Sequence, residues 1–239
     1  MTPPMFRVPT EAVGARRVTL DGPEGHHAAN VRRLRTGEPI SLTDGLGARG
    51  RAVVTEVRRG ALDVDVTEWS HDEPPMPRLV VAQALAKGGR DEAAVEAMTE
   101  VGVDEIVGWQ AARSIAKWTD RTGAKWTGTA EAASRQSRRT RWPSVSGPMT
   151  THDLAARIGE SGRAVVLHEA ATDVLTSIGF ADVAEVLIVV GPEGGVSDDE
   201  LEVLRTAGAM PVRLGETVLR SSTAGVAALA VIAAHTRWA

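Results

Sequence analysis

Cysteine and tyrosine are absent from this chain of 239 residues, and phenylalanine occurs only 2 times. Without cysteine the chain can form no disulfide, thiolate zinc site or iron–sulfur cluster, and it has no cysteine nucleophile. Because tyrosine is absent and phenylalanine is scarce, stacking on a ligand ring falls to tryptophan or to arginine planes. These absences narrow the metal, redox and covalent chemistry that is open to the chain.

Long apolar runs and targeting signals are missing as well. No run of about 18 apolar residues occurs without a charge, and no signal-peptide pattern is present. We therefore expect a cytoplasmic protein with no membrane contact, and we expect no metal site. The 43% hydrophobic content suffices for a proper core in one large or two small domains.

The familiar nucleotide-binding fingerprints are also lacking. The glycine-rich loop at 191–195 lacks the spacing G-x-G-x-x-G, and G-x-x-x-x-G-K-[ST] does not occur in the chain, which disfavours NAD and ATP. Instead, the apolar run Val186–Val190 stands directly before the glycine-rich loop Gly191–Gly195. Such a run is typical of a strand buried on both faces of a parallel sheet, and open parallel sheets bind ligands beyond the carboxyl ends of their strands. The pattern predicts a small-molecule crevice, although a simple tight turn is an equal alternative from this loop alone.

The residues after this loop predict a repeated strand, loop and helix. Ser197 and Glu200 have the spacing of a capping box, so a helix begins here and ends at Gly208. We expect a strand at 210–214, a second loop at 215–224, and a last helix over 224–237 capped by Ser222 or Thr223. This last helix is apolar nearly all round, so we expect it to be buried in the core or against a partner.

Two domains are indicated by the order of the patterns. Residues 1–72 contain short alternating runs separated by glycine turns, which predict a small β-barrel. The proline-rich residues 73–78 read as a linker. Residues 79–239 alternate strands (79–82 and 105–109) with a helix (91–101), which predicts an α/β domain with a parallel sheet.

Arginines cluster although the net charge is −4. Arginine pairs with phosphate and stacks on bases, so the clusters are candidate RNA contacts, with a solvated helix face as the alternative. The clusters considered for RNA are Arg32, Arg33 and Arg35; Arg49, Arg51, Arg58 and Arg59; and Arg135, Arg138, Arg139 and Arg141.

The loops GPEGGVSDDE and LGETVLRSSTAG, followed by an alanine-rich helix, resemble those of the SPOUT class of S-adenosylmethionine-dependent RNA methyltransferases. Within this class the chain is similar to the ribosomal small-subunit methyltransferase E family. Segments 26–35, 83–88, 99–103 and 113–114, and Gln136 with Arg139 and Pro143, resemble family signatures in the same order. The resemblance thus covers nearly the whole chain.

The resemblance implies a fold, a reaction and partners. The fold is α/β, with an N-terminal PUA-like β-barrel and a C-terminal SPOUT domain that holds a trefoil knot. The reaction is methyl transfer from S-adenosylmethionine to N3 of a uridine in 16S ribosomal RNA. The partners are 16S ribosomal RNA or the assembled small ribosomal subunit, and a second copy in a homodimer. Methylation at uracil C5 usually proceeds through a thiolate, so the lack of cysteine leaves a ring nitrogen or a ribose oxygen.

The resemblance also implies site residues. Arg220 would stabilise a deprotonated uracil oxygen or fix a phosphate, or else brace its loop. Glu193 would act as a general base or, with equal weight, as a loop brace. The residues expected to bind the cofactor are Leu167, Glu169, Gly191, Pro192, Gly194, Gly195, Leu214, Gly215, Val218, Leu219, Ser222, Thr223 and Ala224. The residues expected to bind RNA are His26, Arg32, Arg33, Arg35, Lys87, Arg113, Gln136, Arg138, Arg139 and Arg141.

Two departures from the family pattern leave alternatives open. The family usually has acidic residues where this chain has Ser222 and Arg135. One alternative is a non-enzymatic RNA-binding protein in which Ser222 marks an inactive site. The other is a related methyltransferase that acts on a ribose 2′-oxygen or on a tRNA base.

Overall fold

The protein forms two compact units in a computed structural model that describes residues 2–180 and 182–238. The first unit contains the chain up to Pro74 together with Ser134–Trp142. The second unit contains Pro75–Ala133 and the chain from Pro143 onward. Residues 134–142 therefore belong to the first unit. A division of the chain at the linker 73–78 would instead place them in the second domain.

The first unit is built on a 5-stranded sheet with the order β1-β3-β4-β5-β2. The β1 and β3 strands pair in parallel and all other neighbours are antiparallel. Leu62, Val64 and Val66 of β5 are buried at alternate positions, because successive side chains face opposite sides of a strand. The predicted β-rich domain is thus confirmed. Its strands are β1 (Met5–Arg7), β2 (Arg17–Leu20), β3 (Pro39–Thr43), β4 (Ala48–Arg58) and β5 (Ala61–His71).

Short helical segments complete this unit. A short helix, α1 (Gly22–His26), continues as a π-helical turn over His27–Val31, and a 3-10 turn covers Thr10–Ala12. Phe6 and Leu42 are among the buried residues of its core, which the sheet provides. The unit therefore has its own core, as an independent domain requires.

The second unit contains a 6-stranded sheet with the order β11-β9-β10-β6-β7-β8, in which all pairs are parallel. Its strands are β6 (Arg78–Ala84), β7 (Glu105–Trp109), β8 (Ser144–Met149), β9 (Arg163–Leu167), β10 (Glu185–Val190) and β11 (Met210–Val212). The predicted strands at 79–82, 105–109 and 186–190 lie within β6, β7 and β10. The parallel α/β domain that the sequence predicts is therefore confirmed.

Helices cover both faces of this sheet. The helices are α2 (Arg90–Val101), α3 (Asp120–Ser137), α4 (Thr151–Glu160), α5 (Asp198–Thr206) and α6 (Ser221–Ala234), with a 3-10 turn at Leu175–Ser177. Residues of α2, α3 and α6 pack in one buried cluster, and residues of α4 and α5 pack in another. Leu79 and Val81 lie in the first cluster whereas Val80 and Ala82 lie in the second, which explains the continuous apolar run of β6.

Three element boundaries differ from the sequence predictions, and one of them is the end of the last helix, which lies at Ala234 and not at Arg237. The last helix begins at Ser221 and not at Ala224, because Thr223 and Ala224 donate backbone hydrogen bonds to the carbonyl of Arg220. Arg220 is thus the N-cap, and neither Ser222 nor Thr223 caps the helix. The β11 strand ends at Val212 and not at Leu214, because the Arg213 amide bonds to the carbonyl of Asp173 instead of continuing along β9.

The predicted burial of the last helix is confirmed at its contact with α2. A Cβ atom at Gly225 would lie 2.7 Å from Sδ of Met98, so only glycine permits this close approach. Ala228, Leu229 and Ile232 are fully buried on the same helix.

Candidate functional site

A cleft of about 590 Å³ opens at the carboxyl ends of β9, β10 and β11. This is the end of a parallel sheet at which ligands bind, and the volume suits a small molecule. Its walls come from the loops that follow these strands and from the first turn of α6. The two loops that the sequence singled out, 191–195 and 215–224, therefore meet in one place.

Most predicted site residues line this cleft. It is lined by Leu167, Glu169, Gly191, Pro192, Glu193, Gly194, Gly195, Leu214, Gly215, Val218, Leu219, Arg220 and Ala224. Ser222 and Thr223 are not among the lining residues, because they lie on other sides of the first turn of α6. The family departure at Ser222 therefore falls outside the wall of the cleft.

Several lining residues were missed by the sequence reasoning. They are His168, Val190, Val196, Val212, Arg213, Glu216, Thr217 and Ser221. All are neighbours of residues in the motif loops, so the loops themselves were the available signal. Ser221 is the most informative of them, because its side chain is buried and its Oγ has no hydrogen-bond partner among the described residues. A buried hydroxyl of this kind is usually satisfied, so a bound ligand is a natural partner for it.

The glycine-rich loop has a tight geometry. The amide of Gly195 donates to the carbonyl of Pro192 at 2.9 Å, and Gly195 has a φ of +73°. A Cβ at Gly191 would lie 2.9 Å from Cγ2 of Val196. Glycine is therefore required at 195 for its backbone conformation and at 191 for close approach. At Gly194 the restriction is milder, since a Cβ there would lie 3.2 Å from Cβ of Arg113.

Glu193 is held as a carboxylate by its neighbours. Its Oε1 accepts a hydrogen bond of 3.1 Å from Nη1 of Arg90. Partial burial raises the pKa of Glu193, but hydrogen bonds from its own amide, from Arg90 and from the amide of Lys87 outweigh this effect, so the pKa is lowered overall. A carboxylate with a lowered pKa is a weak base. The geometry thus favours the loop-brace role over the general-base role.

Arg113 also contacts this loop. Its Nη1 donates to the carbonyl of Gly194 at 2.9 Å, and it lies 3.5 Å from the carbonyl of Val196. The sequence predicted an RNA contact for Arg113, whereas the structure places its guanidinium against the backbone of the cleft loop.

Arg220 lies at the junction of the second loop and α6. Its backbone conformation is extended at the N-cap, and its side chain is exposed on the cleft wall. A permanent positive charge is therefore available at this wall.

The predicted RNA residues of the first unit differ in exposure. His26, Arg32, Arg33, Arg35, Gln136 and Arg138 are exposed, whereas Arg139 and Arg141 are partly buried. His26 is hydrogen-bonded to Asn30 at 2.8 Å. Arg141 donates from Nε to the carbonyl of Asp72 at 2.8 Å and lies 2.9 Å from Nε2 of His71. Arg141 therefore fastens the 134–142 segment to the end of β5.

Arg135 belongs to a cluster around Trp142 in the same unit. Its guanidinium lies 5.1 Å from the centroid of the Trp142 ring, and that of Arg7 lies 4.9 Å from it. Arg135 also forms an ion pair of 2.9 Å with Glu24. The family usually has an acidic residue at position 135. In this chain the positive charge of Arg135 is paired with the carboxylate of Glu24 in the same unit.

Within residues 2–180 and 182–238, no cluster of three or more potential metal ligands occurs. No helix in the described part of the chain has the length and apolarity that membrane crossing requires. Lys87, the remaining predicted RNA residue, is exposed in the second unit after β6.

This chain is similar to known proteins in both sequence and fold. A profile described as an RNA methyltransferase domain matches residues 72–233, and one described as an RNA methyltransferase PUA domain matches residues 20–67. The ribosomal RNA small subunit methyltransferase E of Mycobacterium bovis is 45% identical over 228 residues, covering 92% of this chain and 87% of its own. The protein of the same name from Bacillus subtilis is 29% identical over 230 residues, covering 91% of this chain and 90% of its own.

A solved structure extends the similarity to three dimensions. The ribosomal RNA small subunit methyltransferase E of Neisseria gonorrhoeae, bound to S-adenosyl methionine, matches with a TM-score of 0.89 at 25% identity. The match covers 98% of both chains, so it includes both compact units.

Proposed function

The chain belongs to the ribosomal RNA small subunit methyltransferase E family, and from this premise we propose that it methylates N3 of a uridine in 16S ribosomal RNA. The methyl donor is S-adenosylmethionine. Methylation of ribosomal RNA follows from the family itself. The choice of N3 of uridine and of the 16S molecule is the finer part of the proposal, and it rests on the resemblance of the motifs.

The meeting of the two motif loops in one cleft is the observation that carries the proposal. The cleft fits S-adenosylmethionine on two grounds. Apolar side chains such as Leu167 and Leu214 line it beside backbone groups of the glycine-rich loop, as adenosine binding requires. The buried hydroxyl of Ser221 lacks a partner that a polar ligand would provide. The residues proposed to hold the cofactor are Leu167, Glu169, Gly191, Pro192, Gly194, Gly195, Leu214, Gly215, Val218, Leu219, Ser221 and Ala224.

The bound cofactor would supply an electrophilic methyl group on a positively charged sulfur. The protein has two tasks, which are to align the acceptor nitrogen and to favour loss of its imide proton. Uracil N3 is nucleophilic only after this loss, which leaves negative charge on the ring oxygens. Arg220 is placed on the cleft wall to stabilise that charge. Glu193 is already engaged by Arg90, so in this mechanism it braces the loop.

The RNA would be bound by exposed basic residues of both units. Those in the first unit are Arg32, Arg33, Arg35 and Arg138, with His26 and Gln136 beside them, and Lys87 is the one in the second unit. These side chains suit phosphate contacts because they are exposed and permanently charged or polar.

The proposal includes the homodimer and the trefoil knot that the resemblance implies. In support of a homodimer, Val226 and Val231 on α6 are only partly buried, so apolar surface of this helix is left for a second copy to cover. The substrate is 16S ribosomal RNA, either free or in the assembled small subunit.

Methyl transfer to small ribosomal subunits from a strain that lacks the modification tests this function. Purified protein and labelled S-adenosylmethionine are incubated with these subunits, with free 16S ribosomal RNA or with tRNA. The product nucleosides are then identified by mass spectrometry. We expect N3-methyluridine from the ribosomal substrate.

Other outcomes would replace the proposal. A 2′-O-methylated nucleoside or a methylated tRNA base would assign the related methyltransferase activity. A wild-type protein that binds the RNA but shows no S-adenosylmethionine binding by calorimetry would be a non-enzymatic RNA-binding protein.

A further inference from the structure

Glu200 is a buried carboxylate behind the cleft, and its side chain joins three separate elements. Its Oε1 accepts from the amide of Ala112 at 2.8 Å and from the hydroxyl of Thr151 at 2.9 Å. Its Oε2 accepts from the hydroxyl of Ser197 at 2.9 Å and from the Ser197 amide at 3.2 Å. The residue is only 6% exposed. The capping box predicts the bonds to Ser197 alone, so the other two are additional.

These bonds keep Glu200 ionised. Burial raises the pKa of Glu200, but the hydrogen bonds from Ala112, Ser197 and Thr151 outweigh it and lower the pKa overall. Each carboxylate oxygen accepts two hydrogen bonds, which a carboxylate can do and a protonated or amidated group cannot do at both positions.

The contact with Ala112 matters because the next residue is Arg113. Arg113 donates from its guanidinium to the carbonyl of Gly194, in the middle of the glycine-rich loop. Ser197, the other partner of Glu200, starts α5 directly after the same loop. Glu200 therefore fixes both the backbone that carries Arg113 and the point where the loop ends.

Neither Glu200 nor Arg113 lines the cleft. Any effect of these residues on the cofactor must therefore pass through the shape of the loop. The loop is open to such an effect, since Gly191, Gly194 and Gly195 line the cleft and have no side chains, so their backbone forms this part of the wall.

We propose that Glu200 and Arg113 are positioning residues that act together to hold the glycine-rich loop in the conformation that binds S-adenosylmethionine. This inference rests on the proposed function, because it concerns the same cleft. It also assigns Arg113 to the cofactor loop and not to RNA. The buried carboxylate orders the Ala112–Arg113 backbone, and the guanidinium then bonds to the carbonyl of Gly194.

Calorimetric titration of S-adenosylmethionine into Glu200→Gln and Arg113→Ala tests the inference. An amide at 200 replaces one oxygen, so two donors lose their acceptor whichever way the amide is turned. We expect each variant to raise the Kd by about tenfold, the size expected when a hydrogen-bond brace is lost. At saturating cofactor, single-turnover methylation should remain within about twofold of wild type. Arg113→Lys should recover much of the affinity, since an ammonium can also donate to a carbonyl.

Matched controls exclude a general effect of charge or stability. Glu202→Gln changes an exposed glutamate on the same helix, and Arg121→Ala changes an exposed arginine on α3. Both should bind the cofactor as wild type does. Melting temperatures are measured for all variants, and the exposed Arg113 can be replaced without creating a cavity in the core.

A double-mutant cycle decides whether the two residues act as one unit. The variant that combines Glu200→Gln with Arg113→Ala should bind no more weakly than the weaker single variant, because the same brace is already lost. Fully additive losses would mean that the residues act separately and would overturn the proposed coupling. Unchanged affinity in both single variants, with wild type binding normally, would overturn the positioning role. Failure of wild type itself to bind would instead overturn the proposed function.

Discussion

Two charged residues of the cleft, Arg220 and Glu193, differ in how far they are engaged by the protein. Glu193 is paired with Arg90 at the start of α2, and its lowered pKa makes it a poor acceptor for a proton. Arg220 stands on the exposed wall of the cleft with its charge available to a substrate. Stabilisation of developing negative charge, and not proton removal by Glu193, is therefore the chemistry that the side chains of the cleft best support.

Replacement of Arg220 by alanine tests this difference. If its charge stabilises the deprotonated uracil, Arg220→Ala should lower the single-turnover methylation rate by about 10²-fold or more, as loss of a preorganised stabiliser does. Cofactor affinity and melting temperature should stay near the wild-type values, because the side chain is exposed. A wild-type rate would remove the catalytic assignment, and a parallel loss of affinity and melting temperature would indicate a loop brace.

At the residue scale, the sequence identified site residues that lie within local motifs. It did not identify hydrogen bonds between residues that are far apart in the chain. Gly191 and Leu214 were identified because the loops are recognisable motifs, and both line the cleft. The bond from Ala112 to Glu200 joins residues 88 positions apart, so no local pattern indicates it. The bond from Arg113 to the carbonyl of Gly194 joins residues 81 positions apart, so it is not indicated by a local pattern either.

Secondary-structure elements were predictable where local signals agree. The apolar run before the glycines predicts β10, and the capping box of Ser197 and Glu200 predicts the start of α5, which the structure confirms. The start of α6 was placed three residues late, because serine and threonine suggested a side-chain cap while Arg220 takes the cap position through its backbone. The end of β11 depends on a distant segment at Asp173, which the sequence pattern does not reveal.

The position of the segment Ser134–Trp142 also depends on contacts with distant residues, and these contacts change the roles expected for its arginines. Its place in the first unit depends on contacts of Arg141 and Thr140 with Asp72, and of Trp142 with Gly45. The sequence grouped its arginines as one RNA-binding cluster. The structure separates them, because Arg138 is exposed while Arg141 is bonded to the protein.

Single substitutions in this segment should therefore affect different properties, which are RNA binding for Arg138 and stability for Arg141. Arg138→Ala should weaken binding of substrate RNA and reduce the slope of log affinity against log salt by roughly 0.7, as expected for one lost phosphate contact to a single strand. Arg141→Ala should lower the melting temperature instead, because the carbonyl of Asp72 loses its donor. Filter binding over a salt series and thermal melting would measure the two effects.

Arg16→Ala serves as the control for charge, because Arg16 is exposed in the same unit but lies outside the predicted RNA segments. It should change neither the salt slope nor the melting temperature appreciably. An unchanged slope in Arg138→Ala would return that residue to a solvated helix end.

At the scale of the whole molecule, the cleft and a stabilising ion network lie at opposite ends of the parallel sheet of the second unit. The cleft lies at the carboxyl ends of the strands, whereas an ion network joins the first residues of β6, β7 and β10. Arg78 donates to Glu185 and to Glu105, each at 2.7 Å, and Arg157 donates to Glu185 at 2.7 Å. These four residues join β10, which carries the glycine-rich loop, to β6, β7 and α4.

The network also predicts how stability depends on pH. Burial raises the pKa of Glu185, but bonds from Arg157 and Arg78 outweigh it, so the pKa is lowered from its usual 4.5. A lowered pKa in the folded state contributes stability that is present above 4.5 and is lost as the pH falls through the folded value. Glu185→Gln removes this contribution at every pH.

Urea unfolding of wild type and Glu185→Gln over a pH series measures this contribution directly. At neutral pH the variant should be less stable by about 1–2 kcal/mol, since the loss of a half-buried carboxylate leaves two guanidinium groups with only Glu105, and partial exposure of Arg78 reduces the cost. Below the folded pKa the two proteins should approach equal stability, because wild-type Glu185 is then also uncharged. Glu96→Gln, at an exposed position on α2, should show no such dependence. A difference that grows as the pH falls would mean that the folded state raises the pKa of Glu185, and the network would then cost stability instead of contributing it.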